Sequence, residues 1–136
     1  MPTRRVLDVG QCNPDHSSIS YFLQQHFDVE IERAHRQADA CAALQRGEFD
    51  LVLVNRKLDS DYSDGTEIIR MIINDEALDV PVMLISNYAD AQKQAVKLGA
   101  VYGFGKAELN RPEVLERVAA ILGVTRSADE NLPATL

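Results

Sequence analysis

The sequence predicts a single α/β domain in which helices cover both faces of a parallel sheet. Five short apolar runs alternate with five segments whose apolar residues recur every three or four positions, as in strands and amphipathic helices. The third run, residues 49–54, is almost continuously apolar, which is typical of a central strand covered on both faces. Strands joined through helices run parallel with right-handed crossovers, so a three-layer αβα sandwich follows. The length of 136 residues fits one such domain.

The first half of the chain supplies two complete strand–helix units. Residues 6–9 form the first predicted strand, and residues 15–27 form a helix with one apolar face. Residues 29–32 alternate apolar and charged side chains, as a half-exposed edge strand would. A helix rich in small residues is expected over 35–46, and Gly47 ends it.

The second half repeats this alternation after the central strand. Its predicted elements are a polar loop at 55–63, a helix from Asp64 through Ile73, a strand at 80–85, a helix at 89–98, a strand at 101–105 and a last helix through Leu122. Capping boxes are expected at Asp64 and Asn110, and Asn87 is expected to cap the fourth helix. We expect the domain to occupy residues 1–123 and the polar residues 124–136 to form a flexible tail.

Composition argues against several functional classes. The net charge of −7 disfavours general binding to nucleic acid or to an anionic membrane, and lysine and arginine show no clustering along the sequence. The sequence contains no apolar run near the roughly 20 residues that span a bilayer, and no pattern of a secretory signal. Cys12 and Cys41 lack the spacing of a zinc site and are expected to be reduced thiols. These features predict a cytoplasmic protein.

Polar residues stand where the predicted strands end, which is where parallel α/β sheets place their ligand sites. Gly10 and Gln11 follow the first strand, Asn55 the third, Ser86 the fourth and Lys106 the fifth. We therefore expect these five residues to meet on one shallow surface.

In order and spacing these residues resemble a response-regulator receiver domain, over roughly residues 4–122. The resemblance rests on the apolar strand that ends at Asn55, on Leu58 three residues later, on Asp64-Gly65, on Ser86, and on the spacing from Gly99-Ala100 to Lys106. It implies a CheY-like, flavodoxin-like sheet with strand order 2-1-3-4-5. It also implies a part in two-component signal transduction or a phosphorelay.

The chain departs from this family at the residues that would perform the chemistry. Asn55 stands where receivers have the phospho-accepting aspartate, and its neutral amide is a poor nucleophile. Gly10 and Gln11 stand where receivers have the acidic pair that holds Mg²⁺. We therefore expect a degenerate pseudo-receiver that is not an enzyme, has no cofactor and has lost its Mg²⁺ site. Asn55 is expected to act structurally, by pairing with Lys106 and holding loop backbone.

Output is expected through protein–protein contact. The resemblance places it on the face formed by the fourth helix, fifth strand and fifth helix, where Tyr102 and Phe104 are the expected aromatic anchors. Expected partners are a histidine kinase, a separate effector or a second copy of the chain, with no nucleic acid and no membrane.

Several other chemistries stay open. Asp8 or Asp59 could replace the missing phosphoacceptor, and Cys12 could be the nucleophile of a small thiol enzyme or phosphocarrier. Asp59-x-Asp61 begins like a calcium loop but lacks its glycine and its final glutamate. The vacated pocket could also bind a small anion. His16, His26 and His35 have no metal or catalytic spacing and are expected to be surface or cap residues.

Overall fold

The computed structural model describes residues 3–75 and 78–123 and contains a five-stranded parallel sheet in the order β2-β1-β3-β4-β5. This confirms the predicted fold class and strand order. The strands are β1 (Arg4–Val9), β2 (Val29–Ala34), β3 (Leu51–Asn55), β4 (Val82–Ile85) and β5 (Val101–Phe104). The helices are α1 (Asn13–His26), α2 (Gln37–Arg46), α3 (Gly65–Arg70), α4 (Ala89–Lys97) and α5 (Pro112–Leu122). The predicted flexible tail lies outside the described residues.

Two apolar layers hold the helices against the sheet. Alternate side chains of the strands, such as Leu53 and Met83, pack on one face against α1 and α5. Their neighbours, such as Val52 and Leu84, pack on the other face against α2, α3 and α4. Because β3 is buried on both faces, its continuous apolar run is explained by its central place in the sheet. None of the described helices is long and apolar enough to cross a bilayer.

Strand register brings the carboxyl ends of four strands to one edge. Val9 of β1 pairs with Val54 of β3, Asn55 pairs with Ile85 of β4, and Ile85 pairs with Phe104 of β5. The residues that follow these positions therefore lie side by side at one end of the sheet. This arrangement brings together the loop after β1, Asn55, Ser86 and Lys106.

Helix ends follow the sequence prediction in part at α3 and differ from it at α4 and α5. The Asp64 side chain caps α3 by accepting a hydrogen bond from the Thr66 amide at 2.9 Å, but Glu67 accepts from Arg70 at 2.6 Å instead of completing the expected capping box. The expected Asn87 cap is wrong, because the N-cap residue of α4 is Tyr88. The Asn87 side chain instead accepts a hydrogen bond from the Ala107 amide at 3.1 Å. The expected Asn110 cap is also wrong: α5 begins after Arg111, and Asn110 adopts a left-handed backbone conformation.

The helix expected through Ile73 changes character partway. Regular α-helical structure ends at Arg70, and the chain continues as a π-helical turn over Met71–Asp75. The apolar period that predicted one helix persists through this turn, since Met71 and Ile72 are buried in the same layer as Ile68 and Ile69. Periodicity therefore located the buried face but not the change in hydrogen bonding.

Candidate functional site

Both the nitrogen and the oxygen of the Asn55 side-chain amide form hydrogen bonds. Its Nδ2 donates to the carbonyl oxygens of Gly10 at 3.1 Å and Lys57 at 2.7 Å. Its Oδ1 accepts from Lys106 Nζ at 3.4 Å. Both amide hydrogens are thus used to join the loop after β1 to the loop after β3. This is the structural role that the sequence favoured for Asn55.

Lys106 has a stronger partner than Asn55. Its Nζ lies 2.6 Å from Asp15 Oδ2, in the first turn of α1. The hydrogen bond from Lys106 lowers the pKa of the Asp15 carboxyl, despite a smaller opposing effect of burial. Asp15 therefore stays ionised at neutral pH and partly neutralises the lysine. The pair also links α1 to the end of β5.

Gly10 occupies a conformation that suits glycine. Its φ is +83°, a region that residues with a side chain rarely adopt. A Cβ atom built at this position would overlap Cδ2 of Leu58, which is fully buried. An aspartate here would carry backbone strain and press on a core residue. The backbone itself thus disfavours the acid that the resemblance implies.

Gln11, the second residue at an acidic-pair position, turns into the protein. Its side chain is 1% exposed, and Gln11 is not among the residues that line the cavity beside Asn55. Its carbonyl oxygen accepts from the Arg33 guanidinium at 2.9 Å. The expected convergence of five residues is therefore only partly right, because Gln11 is directed elsewhere.

A cavity of about 240 Å³ lies beside Asn55. Among the described residues, its lining is formed by Asn55, Arg56, Lys57, Ile85, Ser86, Asn87, Tyr88 and Lys106. Three of these eight carry a positive charge, and none of them carries a carboxylate. Ser86 is mostly buried, and its Oγ accepts from the Tyr88 amide at 3.1 Å. The cavity therefore offers hydrogen-bond donors and positive charge.

These residues do not fit the Mg²⁺ that the fold family implies. Mg²⁺ is usually bound through carboxylates and water in octahedral geometry. The Gly10 carbonyl oxygen already accepts from Asn55 and from the Asp59 amide at 2.9 Å, and nearby cations would repel a metal ion. Within residues 3–75 and 78–123, no three His, Cys, Asp or Glu side chains form a group that could hold a metal ion.

The alternative acceptor Asp59, the thiol Cys12 and the calcium-like residue Asp61 do not line this cavity. Asp59 lies in the loop after β3, two residues beyond Lys57. Asp61 accepts from the amide and hydroxyl of Ser63, at 3.0 and 2.6 Å, and so turns back on its own loop. Cys12, at the start of α1, is half-buried and hydrogen-bonded to Asp15. The Asp59 amide shares the Gly10 carbonyl oxygen with Asn55, but neither Asp59 nor Cys12 lines the cavity.

Asp8 forms a buried pair with His16. The Asp8 side chain is fully buried in β1, and its Oδ2 lies 2.6 Å from His16 Nδ1 on α1. Burial raises the pKa of the Asp8 carboxyl, and the hydrogen bond with His16 opposes that rise. The expectation that His16 is a surface or cap residue is only partly right, because its side chain is 21% exposed but also contacts the buried Asp8. Sequence offered only a weak signal, since the partners belong to different elements eight residues apart.

The two aromatic anchors expected on β5 have different environments. Phe104 is fully buried in the layer beneath α1 and α5, with its ring centroid 6.0 Å from that of Phe22. Phe104 is therefore a core residue, and the expectation that it is an exposed anchor is wrong. Tyr102, two residues earlier, is 41% exposed and lies under the Arg117 guanidinium at 5.3 Å. The pairing of β5 with β4 is irregular between these residues, since Val101 pairs with Met83 and Phe104 with Ile85. Simple alternation along β5 therefore does not predict which of the two aromatic residues is exposed.

Comparison with solved structures shows the same architecture in response regulators. A putative response regulator from Chloroflexus aurantiacus J-10-fl matches with a TM-score of 0.76 and 17% identity, over 90% of this chain and 99% of that one. A response regulator from Thermotoga maritima matches with a TM-score of 0.72 and 26% identity, over 90% and 99%. NtrX from Brucella abortus matches with a TM-score of 0.70 and 19% identity, over 90% of this chain, which spans only 27% of that longer protein.

By sequence alone the chain has no such match. No protein-family model matches it, and no curated protein matches it. The similarity that these comparisons show is therefore structural: the chain has the CheY-like receiver fold, with its sheet in the order 2-1-3-4-5.

Proposed function

We propose that this chain is a two-component-type signalling module that acts through protein–protein contact without phosphorylation at the usual position. It is a degenerate pseudo-receiver: not an enzyme, without a Mg²⁺ cofactor, and cytoplasmic. The main observation behind this proposal is the fixed side-chain amide of Asn55, which donates both of its hydrogens to backbone carbonyl oxygens. Gly10 supports it, because its conformation disfavours a metal-binding acid beside that amide.

The proposed output surface consists of α4, β5 and α5. β5 is an edge strand, so this side of the sheet is open between the two helices. Tyr102 is exposed there, and Arg117 of α5 stacks on its ring while donating to the Gly103 carbonyl at 2.5 Å. Val96 on α4 is also exposed. An aromatic ring held by an arginine is a rigid contact of the kind that often contributes strongly to interfaces.

The partner that we propose is a protein. The fold that the chain shares with response regulators, one of them described as two-component, supports the partners that the family resemblance implies: a histidine kinase, a separate effector or a second copy of the chain. Phosphorylation would not set its affinity, because Asn55 cannot form an acyl phosphate.

We expect Tyr102→Ala to remove partner binding while leaving the fold intact. The experiment is affinity capture from the native host with the whole chain as bait, with and without acetyl phosphate and Mg²⁺. Captured proteins should be the same in both conditions and should be lost with Tyr102→Ala. The matched control is Tyr21→Ala, which removes an exposed tyrosine of α1, a helix that is not part of the proposed output surface. Capture that requires acetyl phosphate, or that survives Tyr102→Ala, would contradict the proposal.

A further inference from the structure

The cavity beside Asn55 is a basic site on an acidic protein. The chain carries a net charge of −7, yet Arg56, Lys57 and Lys106 all line this one cavity. The clustering arises from the fold, since Arg56 and Lys57 follow β3 while Lys106 follows β5, two strands away in the sheet. Cations gathered against the overall charge would repel one another, so an anionic ligand would stabilise this arrangement.

Much of this donor capacity is uncommitted within the described part of the chain. The Arg56 guanidinium lies over the Tyr88 ring at 5.4 Å, and it makes no hydrogen bond to a described residue. Stacking uses the face of the guanidinium and leaves its edge N–H groups free for an oxyanion. Lys57 is exposed and likewise unpaired at its Nζ among the described residues. Asp64 lies near both cations, but its carboxylate accepts from the Thr66 amide and hydroxyl.

A buried hydroxyl completes the set of donors. Ser86 is 7% exposed, and its oxygen accepts from the Tyr88 amide. Its own proton is donated to no residue that the structure describes. A mostly buried hydroxyl with an unused proton, on the wall of a cavity with three cations, is well placed for an anionic acceptor.

We propose that this cavity binds the phosphate group of a small phosphate monoester, reversibly and without a covalent bond. Arg56 and Lys57 supply most of the positive charge, and Ser86 donates its hydroxyl proton. Lys106 contributes less, because Asp15 partly neutralises its charge. A volume of about 240 Å³ accommodates a phosphate and a few further atoms. The exposed Tyr88 ring at the rim offers a surface on which an aromatic base can stack. This proposal is independent of the output surface described above.

The Asp15–Lys106 pair predicts a variant that binds more tightly. Asp15 competes with the anion for Lys106 and adds a negative charge close to the cavity. Asp15→Asn should therefore strengthen phosphate binding, whereas Arg56→Gln and Lys57→Gln should each weaken it about tenfold, as loss of a charged hydrogen bond does. Opposite effects from neighbouring substitutions cannot be explained by general damage to the fold.

The test is a titration of the whole ¹⁵N-labelled chain, followed by amide chemical shifts. Ligands are inorganic phosphate, O-phosphoserine and adenosine 5′-monophosphate, each compared with potassium chloride at equal ionic strength. Saturable shifts centred on residues 56, 57 and 86 are expected for all three. Lys93→Gln is the matched control, because it removes an exposed cation of α4 that does not line the cavity.

The possible outcomes distinguish a nucleotide ligand from the phosphate group alone, and they include results that would overturn the proposal. A selective loss of nucleotide affinity in Tyr88→Ala would assign a nucleotide ligand, and equal losses for both esters would assign the phosphate group alone. The proposal is overturned if chloride reproduces the shifts, if Lys93→Gln weakens binding as much as Arg56→Gln, or if Asp15→Asn weakens it. Each of these results would leave the proposed protein-contact function standing.

Discussion

Replacing His16 with alanine should lower the free energy of unfolding by about 3–5 kcal/mol at neutral pH, as removal of one partner from a buried pair does. Asp8 is fully buried between β1 and α1, and His16 Nδ1, at 2.6 Å, is its close hydrogen-bond partner. Without the ring, the buried carboxylate must remain charged with only the Gln11 side chain and the Arg33 charge to stabilise it, or take up a proton. Either response costs folding free energy relative to the unfolded chain, where water solvates Asp8.

This loss should depend on pH in a definite direction. Burial raises the pKa of Asp8 in the folded state above its ordinary 3.8, so the folded protein binds the proton more tightly than the unfolded chain does. Stability contributed by this group is therefore greatest below that value and falls as pH rises through the raised folded pKa. In His16→Ala the pKa rises further, so the difference from the wild type should shrink as pH falls toward 3.8.

Two further variants identify the cause. Asp8→Val in the His16→Ala background should recover most of the loss, because an apolar β-branched side chain suits a buried strand position. His35→Ala removes an exposed imidazole and should change stability by less than about 0.5 kcal/mol. Urea denaturation of the four proteins between pH 4 and 8 measures the effect. A small loss of unfolding free energy in His16→Ala, or a loss that does not vary with pH, would contradict the role assigned to the Asp8–His16 pair.

Gln92→Ala should lower the free energy of unfolding by about 2–4 kcal/mol, the range expected when buried backbone groups lose their partners. The buried Gln92 side chain connects three elements. Its Nε2 donates to the carbonyl oxygens of Leu84 at 2.9 Å and Ser86 at 3.1 Å, and its Oε1 accepts from the Gly103 amide at 2.9 Å. One residue of α4 thereby joins β4 to β5, between the cavity and the proposed output surface.

Gln94→Ala is the matched control, since Gln94 is exposed on the same helix. Its effect should stay below about 0.5 kcal/mol. Hydrogen exchange at the Gly103 amide should accelerate in Gln92→Ala and stay unchanged in Gln94→Ala, because only Gln92 protects that amide. Equal stability of the two variants would contradict the role assigned to Gln92.

The sequence predicted the layered architecture, because that follows from the alternation of apolar runs with helical periods. The strand order was predicted only through the family resemblance. Asn55 could be assigned a structural role because an amide at a strand end has few other uses. The burial of Phe104 and the contact between His16 and Asp8 were not predicted, for a shared reason. Both depend on how the helices and the irregularly paired β5 pack in space, and local pattern does not contain that information.

The contribution of Arg56 and Lys57 to the expected pocket was not predicted, for a related reason. Along the chain, Arg56-Lys57 is an ordinary basic pair in an acidic sequence, and Lys106 lies about fifty residues away. Only the parallel register, which aligns the ends of β3, β4 and β5, makes them neighbours. Gln92 gave a faint signal, because it shares a helical face with the buried Ala95. A polar residue that falls at the helical spacing of the buried apolar residues is the pattern that indicates such a buried hydrogen-bonding role.

The central claim is that the family's phosphorylation chemistry is absent because the nucleophile and the metal ligands are lost together. Intact-mass measurement after incubation with acetyl phosphate and Mg²⁺ tests it most directly, on the wild type and on Asn55→Asp. The account predicts no phosphoryl adduct on the wild type and no stoichiometric adduct on Asn55→Asp, because Gly10 and Gln11 still supply no acid to hold Mg²⁺. A stoichiometric adduct on the wild type would contradict the account, and its loss in Asp59→Ala or Cys12→Ala would locate the displaced acceptor.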